Sequence, residues 1–282
     1  MPNKNLFKNF TIGSFILVAI SLVILAFGKI DYNISLLLQN RESLWAQFFY
    51  VFGEQPAYWG LLVGTVILFS VHKKTNRVWQ IFCLITGFFF SFLCVYVILI
   101  IPLRYIYDII KSPISRNIKA TVAAVASLIS ICITAAAPKY EPKLKKFRKH
   151  AIFLILVIIS EMLLVSIMKD IWGRPRMRSI SGFDEFRYWF EIAGPADNQE
   201  YKSFPSGHSA NSFTMVAFYV FAPYYKRIRP KLFFVLAVVW GSLVAISRVA
   251  LAAHFLSDVI AGFFVTIVCI YYYYTLLFNK RK

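Results

Sequence analysis

The chain has 282 residues, of which 59% are hydrophobic and 18% aromatic, and its net charge is +18 at pH 7. This apolar share is well above that of a soluble globular domain and indicates a protein that lies largely in lipid. The charge excludes little by itself, but the basic residues fall in short loops between apolar runs and not on a basic, aromatic-rich module. The expected partner is therefore the bilayer, and no nucleic acid is expected.

Eight apolar runs follow one another, and most approach the ~20 residues that a spanning helix needs. They cover residues 10–28, 57–71, 79–101, 120–137, 151–168, 206–223, 232–247 and 256–278. The second run is short and the fourth is rich in Ala, Ser and Thr, so six spans are the alternative to eight. We expect an all-α, multi-span helical bundle forming one integral membrane domain. Residues 1–150 would supply preceding spans, and residues 151–278 a six-helix core that carries the polar motifs.

The N-terminal part contains two features that do not decide function. The first run follows Lys4 and Lys8 and ends without a small-x-small cleavage site, which favours an uncleaved signal anchor over a signal peptide. The segment from Lys29 to Gln55 mixes leucines and aromatics with polar residues. It predicts an interfacial helix or, equally, an ordered loop packed on the bundle.

Basic loops predict the orientation, because Lys and Arg are enriched in short cytoplasmic loops. The loops contain Lys73, Lys74 and Arg77; Lys139, Lys143, Lys145, Lys146, Arg148 and Lys149; Lys226, Arg227, Arg229 and Lys231; and Lys280, Arg281 and Lys282. With the N-terminus inside, alternating crossings place all four loops in the cytoplasm. Four further cations, Arg104, Lys111, Arg116 and Lys119, then lie outside and weaken the bias without reversing it.

Three polar clusters interrupt the C-terminal half: Lys169 to Arg176, Pro205 to His208, and Ser247–Arg248 followed by His254 and Asp258. The alternation of spans brings the end of run 151–168, the start of run 206–223 and the end of run 232–247 to the same membrane surface. All three clusters should therefore meet on the face away from the cytoplasm.

The pair His254 and Asp258 is four residues apart, so both side chains share a face if they begin the last helix. The carboxylate would then hold one imidazole nitrogen and leave the other unprotonated, as a nucleophile or base requires. A polar pair that merely caps a helix end is the alternative when this pair is considered alone.

His208 follows Pro205, Ser206 and Gly207 at the start of a span. Unpaired backbone N–H groups of a helix start, together with the Ser206 hydroxyl, can bind an anion, and glycine allows a ligand to approach the backbone. A simple helix-start signature would explain everything except the histidine.

Several cations accompany these groups, namely Lys169, Arg174, Arg176, Arg178 and Arg248. Each alone could be a span-end residue that reaches the interface. Two histidines and an aspartate could also bind a metal, but the cations would repel a divalent ion and would instead stabilise the charge of a transferring phosphoryl group. We therefore predict a phosphotransfer site without a metal or cofactor. The four cysteines lie in apolar runs and indicate neither a disulfide nor a metal site.

In order and spacing, the three clusters resemble the motifs of the type 2 phosphatidic acid phosphatases, the lipid phosphate phosphatases. Lys169 through Arg176 resembles the first motif, Pro205 to His208 the second, and Ser247 to Asp258 the third. Met177 stands where the first motif normally has proline. The resemblance covers about residues 151–278, and the N-terminal half shows only membrane character.

This resemblance implies a role for each residue. His254 would attack phosphorus to form a phosphohistidine, oriented by Asp258, while His208 would protonate the leaving lipid oxygen. The phosphate oxygens would be bound by Lys169, Arg176, Arg248, Ser206 and the Gly207 N–H. Phosphatidic acid, phosphatidylglycerol phosphate and undecaprenyl diphosphate are among the implied substrates. The alternatives are phosphotransfer to another acceptor, such as a lipid A headgroup, and a lipid transporter or binder without turnover.

Two further features are left with open roles. The loop from Ser179 to Phe204 is rich in aromatic residues and predicts an interfacial belt, with a lid or headgroup filter as the alternative. Glu161 lies in the middle of a predicted span. We expect it to face the bundle and form hydrogen bonds there, with a proton-coupling role as the alternative.

Overall fold

The computed structural model describes residues 4–70, 76–224 and 229–279, with side-chain detail from residue 9 onward. Within these ranges the chain is helical and has no β-strand, which confirms the predicted all-α class. The helices are α1 (Lys4–Leu25), α2 (Ile30–Leu37), α3 (Leu44–Phe52), α4 (Gln55–Phe69), α5 (Arg77–Ile109), α6 (Arg116–Ala136), α7 (Glu141–Leu144), α8 (Arg148–Trp172), α9 (Gly207–Phe213), α10 (Pro230–Ala250) and α11 (Leu256–Phe278). Of the predicted basic loops, Lys73, Lys74, Lys226, Arg227, Lys280, Arg281 and Lys282 lie outside the described residues.

Each of the eight apolar runs contains helix, and run 206–223 is α9 followed by a 3₁₀ segment, Thr214–Tyr224. By length and composition, four stretches of the described chain could cross a membrane: Arg77–Ile109, Arg116–Ser179, Pro230–Ala250 and Leu256–Phe278. The second stretch contains both α6 and α8. The bent pair of α1 and α2 would add one more. The chain is thus a multi-pass helical membrane protein, and the choice between six and eight crossings stays a prediction.

Large apolar side chains cover the outside of the bundle, as expected where a protein contacts lipid tails. Leu17 on α1, Ile85 on α5 and Leu163 on α8 are each more than half exposed. Hydroxyl side chains are buried inside, and those of Ser212 and Thr214 donate to backbone carbonyls three residues earlier. These internal hydrogen bonds satisfy polar groups that have no access to water in the hydrocarbon region.

Two glycines bring the polar end of the bundle together. Gly173 ends α8 with φ +59°, in the left-handed region that favours glycine at a helix C-terminus. Gly262 on α11 faces the start of α9, and a Cβ at this position would overlap the carbonyl oxygen of Ser206. Because only glycine allows this approach, the first turn of α9 lies directly against α11.

The C-terminal part is completed by N-terminal helices. Residues 151–278 contain α8 to α11 and 3₁₀ segments, which differs from the six helices expected there. Instead α1 packs on α11, α3 on α10 and α4 on α8. The segment predicted as interfacial helix or loop forms α2 and α3, and α2 is bent by 100° from α1. Leu37 and Leu44 on these short helices are at least 80% exposed, as an interfacial position requires.

A fully buried arginine joins the N-terminal helices to the C-terminal core. Arg174, just after α8, donates from Nη1 to Asp258 Oδ1 at 2.5 Å and to Ser257 Oγ at 2.6 Å. Its Nη2 donates to Asp31 Oδ2 on α2 at 2.9 Å. Asp31 also accepts hydrogen bonds from the backbone N–H and the hydroxyl of Ser257. One guanidinium therefore links α2 to the first turn of α11.

The aromatic loop after α8 covers this ion cluster. The rings of Phe186 and Phe255 lie 5.2 and 4.6 Å from the guanidinium carbon of Arg174. Tyr188 donates its hydroxyl hydrogen to the Gly28 carbonyl, and the Trp189 indole N–H donates to the Leu22 carbonyl. The loop is thus anchored on the N-terminal helices, which neither the belt nor the lid interpretation included.

Replacing Arg174 with methionine should destabilise the protein strongly, because two buried carboxylates would lose their shared cation. Removing one partner of a buried ion pair costs about 3–5 kcal/mol. We expect a clearly lower midpoint of thermal unfolding in detergent.

The matched control is Arg178→Met, which removes an ion pair with Glu200 whose two side chains are 41% and 34% exposed. Such surface pairs contribute about 1 kcal/mol or less. Equal midpoints for the two variants would contradict the role of the buried cluster.

Candidate active site

The structure brings the three polar clusters together at one end of the bundle. Lys169 lies in the last turn of α8, His208 in the first turn of α9, and His254 in the turn before α11. A Cβ added to Gly207 would lie 3.7 Å from Lys169 Nζ, so the lysine ammonium is next to the Gly207 backbone. The clusters therefore form one continuous group of cations and imidazoles.

His254 is 1% exposed, and its Nδ1 lies 3.3 Å from Ser203 Oγ and 3.6 Å from Asp258 Oδ2. The second distance is too long for a hydrogen bond. Ser203 donates its hydroxyl hydrogen to Asp258 Oδ2 at 2.6 Å, so its oxygen can only accept from Nδ1–H. This network assigns the proton to Nδ1 and leaves a lone pair on Nε2.

His254 and Asp258 do not share a helix face, contrary to the expectation from their spacing. Phe255 has an extended backbone and α11 begins only at Leu256, so His254 precedes the helix. Asp258 caps the helix by accepting from the Phe255 N–H at 2.9 Å, and its other oxygen is bound by Arg174. The carboxylate is thus held in place and acts on the imidazole through Ser203.

Burial lowers the pKa of His254 well below its usual value, and the charges of Arg176, Lys169 and Arg248 lower it further. The physical reason is that an imidazolium loses hydration in this site and also meets three cations. His254 is therefore neutral at pH 7, which is the form that a nucleophile needs.

His208 contacts a residue from the N-terminal half. Its Nδ1 lies 3.1 Å from Oε1 of Glu54, which directly precedes α4. Its ring lies beside the rings of Tyr50 and Tyr105, with centroids 5.4 and 5.2 Å away. Its Nε2 is buried and has no hydrogen-bond partner within the described residues. The open nitrogen of His208 is therefore Nε2.

Arg248, in the last turn of α10, is 3% exposed, and its guanidinium carbon lies 4.5 Å above the ring of Tyr50. In the part of the chain that the structure describes, its Nε and Nη1 are buried without a hydrogen-bond partner. It borders a cavity of about 270 Å³ whose charged lining residues are Arg41, Arg178, Arg248 and Asp108. Since buried charged donors are costly when unpaired, this geometry fits an anionic ligand.

Arg176 is oriented by its backbone N–H and its Nε, which donate to the carbonyls of Glu200 and Gln199 at 2.7 and 3.1 Å. Met177, where the resembling motif has proline, is 4% exposed and packs in an apolar cluster with Phe186. Methionine therefore fills space under the loop at this position.

Ser206 forms the N-cap of α9. Its backbone N–H donates to the Asp258 carbonyl at 2.9 Å and is not available to a ligand. Its hydroxyl oxygen accepts from the Ser209 N–H at 3.4 Å, so the hydroxyl hydrogen stays available. The predicted anion cradle at this helix start therefore lacks the N–H groups of Ser206 and Ser209, while the Ser206 hydroxyl and the Gly207 N–H remain its predicted donors.

The sequence did not indicate that Arg174 and Arg178 differ from the other cations of the motifs in their partners. Arg174 is bound to Asp31 and Asp258 in the buried cluster. Arg178 pairs with Glu200, and these hydrogen bonds lower the pKa of the Glu200 carboxyl to about 2. Both arginines are therefore engaged with carboxylates, unlike Arg248.

Three residues that contact the histidines, Tyr50, Glu54 and Ser203, were not found from the sequence, and neither was Asp31, which binds Arg174 and Ser257. A carboxylate beside an apolar run is a signal that could have found Asp31 and Glu54.

Glu161 on α8 faces the bundle and is 1% exposed, as predicted. Neither of its carboxyl oxygens has a hydrogen-bond partner among the described residues, which corrects that part of the prediction. Within the described ranges, no three His, Cys, Asp or Glu side chains are grouped as a metal site requires.

Comparison with known proteins supplies two curated relatives. A lipid A 4'-phosphatase of Francisella tularensis subsp. novicida is 34% identical over 144 residues, 49% of this chain and 62% of that protein. Sphingosine-1-phosphate phosphatase 1 of Mus musculus is 33% identical over 128 residues, 44% of this chain and 27% of that protein. The matches span less than two thirds of either relative. No solved structure matches the chain significantly.

A family model described as PAP2 superfamily matches residues 150–282, a range that contains all three motifs. This match agrees with the resemblance inferred from the order and spacing of the motifs. Residues 150–282, slightly less than half of the chain, are thus similar to the PAP2 superfamily, which is consistent with the resemblance to the type 2 phosphatidic acid phosphatases.

Proposed function

We propose that the protein is a lipid phosphate phosphatase that works through a phosphohistidine and needs no metal. The observation that carries this proposal is the set of open groups beside His254. Arg248 has buried Nε and Nη1 atoms without partners, and His208 has a buried Nε2 without one, among the residues described. Lys169, Arg176 and Arg248 act electrostatically on both imidazoles, and such a combination of cations with a neutral imidazole suits a phosphate ester.

In the first step, Nε2 of His254 attacks phosphorus and a P–N bond forms. The P–O bond to the lipid alcohol breaks, its electron pair stays on the leaving oxygen, and His208 Nε2 supplies the proton. Lys169, Arg176 and Arg248 stabilise the charge on the non-transferring oxygens, with the Ser206 hydroxyl and the Gly207 N–H as further donors. As His254 becomes positively charged, it is stabilised by the hydrogen bond from its Nδ1–H to Ser203 Oγ and by the nearby Asp258 carboxylate.

In the second step, His208 is neutral and its Nε2 takes a proton from water. The water oxygen attacks phosphorus, the P–N bond breaks, and its electron pair returns to His254. The products are the lipid alcohol and inorganic phosphate, and both histidines return to their starting protonation. General acid and base assistance of this kind contributes about 10² to 10⁴-fold to a rate.

The substrate class is a phosphomonoester or diphosphate of a membrane lipid, such as phosphatidic acid, phosphatidylglycerol phosphate or undecaprenyl diphosphate. An apolar groove of about 520 Å³ supports this proposal, because it could hold a lipid tail. It is lined by Gln55 and Pro56, which follow Glu54 in the chain, and by Trp59 and Trp240. Both curated relatives carry names of phosphatases that act on lipids. The site would face the extracytoplasmic side of the cell membrane, in one membrane domain that includes residues 1–150 and 151–278.

The direct test is phosphate release by the detergent-purified protein from a panel of lipid phosphates. His254→Ala should reduce kcat by on the order of 10³-fold or more, because the nucleophile is removed. His150→Ala is the matched control, since His150 lies among Phe147, Phe221 and Phe278 at the other end of the bundle. Activity should be the same with and without chelator.

Three outcomes would contradict parts of this proposal. Full activity of His254→Ala would exclude the phosphohistidine. Loss of activity with chelator, restored by a divalent ion, would indicate a metal site. Transfer of labelled phosphate to another lipid without phosphate release would identify a phosphotransferase.

The acidic limb of the kcat/KM profile should lie below pH 6.5, because the neutral form of His254 is active and its pKa is depressed. Arg176→Gln should move that limb to higher pH. A cation disfavours the imidazolium, so its removal raises the pKa and protonates His254 earlier on acidification. Ionisation of the substrate phosphate is common to both enzymes and cancels in the comparison.

Lys119→Gln is the control for that experiment, because Lys119 is an exposed cation on α6. Its profile should coincide with that of the parent protein. An acidic limb that stays in place or moves to lower pH in Arg176→Gln would contradict the assigned charge effect.

Sidedness can be tested with single cysteines in a background without the four native ones. Asp197→Cys in the loop before α9 and Lys143→Cys in the basic loop are both at exposed positions. In intact cells an impermeant thiol reagent should label the first and not the second. Equal labelling of both, or the reverse pattern, would overturn the extracytoplasmic assignment.

A further inference from the structure

Glu54 is a buried carboxylate in the N-terminal half that accepts hydrogen bonds from three helices. Its Oε1 is 3.1 Å from His208 Nδ1 and accepts from Asn211 Nδ2 at 3.3 Å. Its Oε2 accepts from the hydroxyls of Tyr105 and Tyr58 at 2.8 and 3.1 Å. The carboxylate is 7% exposed, so these four donors define its position.

The imidazole of His208 also contacts two tyrosine rings. Tyr50 and Tyr105 stack on each other with centroids 4.3 Å apart, and both rings lie within 5.4 Å of the imidazole centroid. With Nδ1 directed at Glu54, the ring can present only Nε2 to a ligand. That atom is buried without a partner among the described residues.

The charge of Glu54 matters because the other ions around His208 are cations. Lys169, Arg176 and Arg248 all disfavour a second positive charge nearby. A carboxylate at hydrogen-bond distance stabilises the imidazolium, whereas an amide of the same shape does not. A general acid must carry its proton until the leaving oxygen takes it, so this carboxylate supplies what the cationic site otherwise lacks.

We propose that Glu54 is the positioning residue of His208: it fixes the Nδ1–H tautomer and stabilises the imidazolium, so that Nε2 delivers its proton to the leaving lipid oxygen. The inference rests on the proposed phosphatase function and extends it. Each histidine would then have its own carboxylate, His254 acting with Asp258 and His208 with Glu54. The second carboxylate comes from outside residues 150–282, the range of the family match.

The test compares two leaving groups in single-turnover experiments that measure release of the alcohol. A long-chain alkyl phosphate has a basic leaving oxygen that needs a proton, whereas 4-nitrophenyl phosphate leaves without one. Glu54→Gln keeps the shape of the side chain and removes its charge. We expect the release rate to fall about 10²-fold for the alkyl phosphate and to change little for the nitrophenyl ester.

His208→Asn should show the same selectivity, and the double variant should be no slower than His208→Asn alone, because Glu54 acts through His208. Inhibition by orthovanadate should be unchanged in Glu54→Gln, since the phosphate-binding cations are untouched. Glu141→Gln is the matched control. It makes the same change in α7, which lies next to the start of α8 and not at the end that contains Lys169, and it should behave like the parent protein with both substrates.

The outcomes separate this inference from the function on which it rests. If His254→Ala keeps full activity, the proposed mechanism fails whatever Glu54 does. If His254→Ala is inactive but Glu54→Gln slows both substrates equally, or neither, Glu54 is not the positioning residue. Should Glu54→Gln not fold in detergent, Glu54→Asp keeps the charge at a greater distance. It should show a smaller loss with the same preference for the nitrophenyl ester, and equal losses would overturn the proposal.

Discussion

The ion cluster around Arg174 is the constraint on which the rest of the site depends. One guanidinium, with no exposed surface, lies between Asp31 and Asp258, which are at most 1% exposed. Both carboxylates lie in the first turn of a helix, α2 and α11, where the helix dipole also favours negative charge. Two helix N-termini and one cation thus balance two buried anions. The position of Asp258, and through Ser203 that of His254, follows from this balance.

The anion-binding side of the site has the opposite charge pattern. Lys169, Arg176 and Arg248 lie near two imidazoles, and Arg248 has buried donors that no described side chain satisfies. Burying charged donors without partners costs free energy, and an anion with several oxygens would supply the missing partners.

The residues that could be predicted are those whose chemistry is visible at short range. Spacing alone identified two such groups. The first is Arg248, His254 and Asp258, which lie within eleven residues, and the second is Ser206, Gly207 and His208, which are consecutive. Alternation of spans then predicted that these groups meet. The same reasoning misjudged details that depend on local backbone conformation. It considered His254 as part of the first turn of a helix that begins two residues later. It also counted the backbone N–H groups at the start of α9 as unpaired, although the Asp258 carbonyl accepts from that of Ser206.

The sequence by itself determined that the chain is an all-helical membrane protein and that one group of histidines and cations carries its chemistry, because hydropathy and motif spacing are local properties. Only the tertiary structure decided which cations remain open to an anion, since Arg174 and Arg248 differ in their partners and not in their type. It also brought Asp31 and Glu54 to residues more than 140 positions away along the chain. Such pairs depend on how helices pack, and no periodicity in the sequence records which buried carboxylate will face which buried donor.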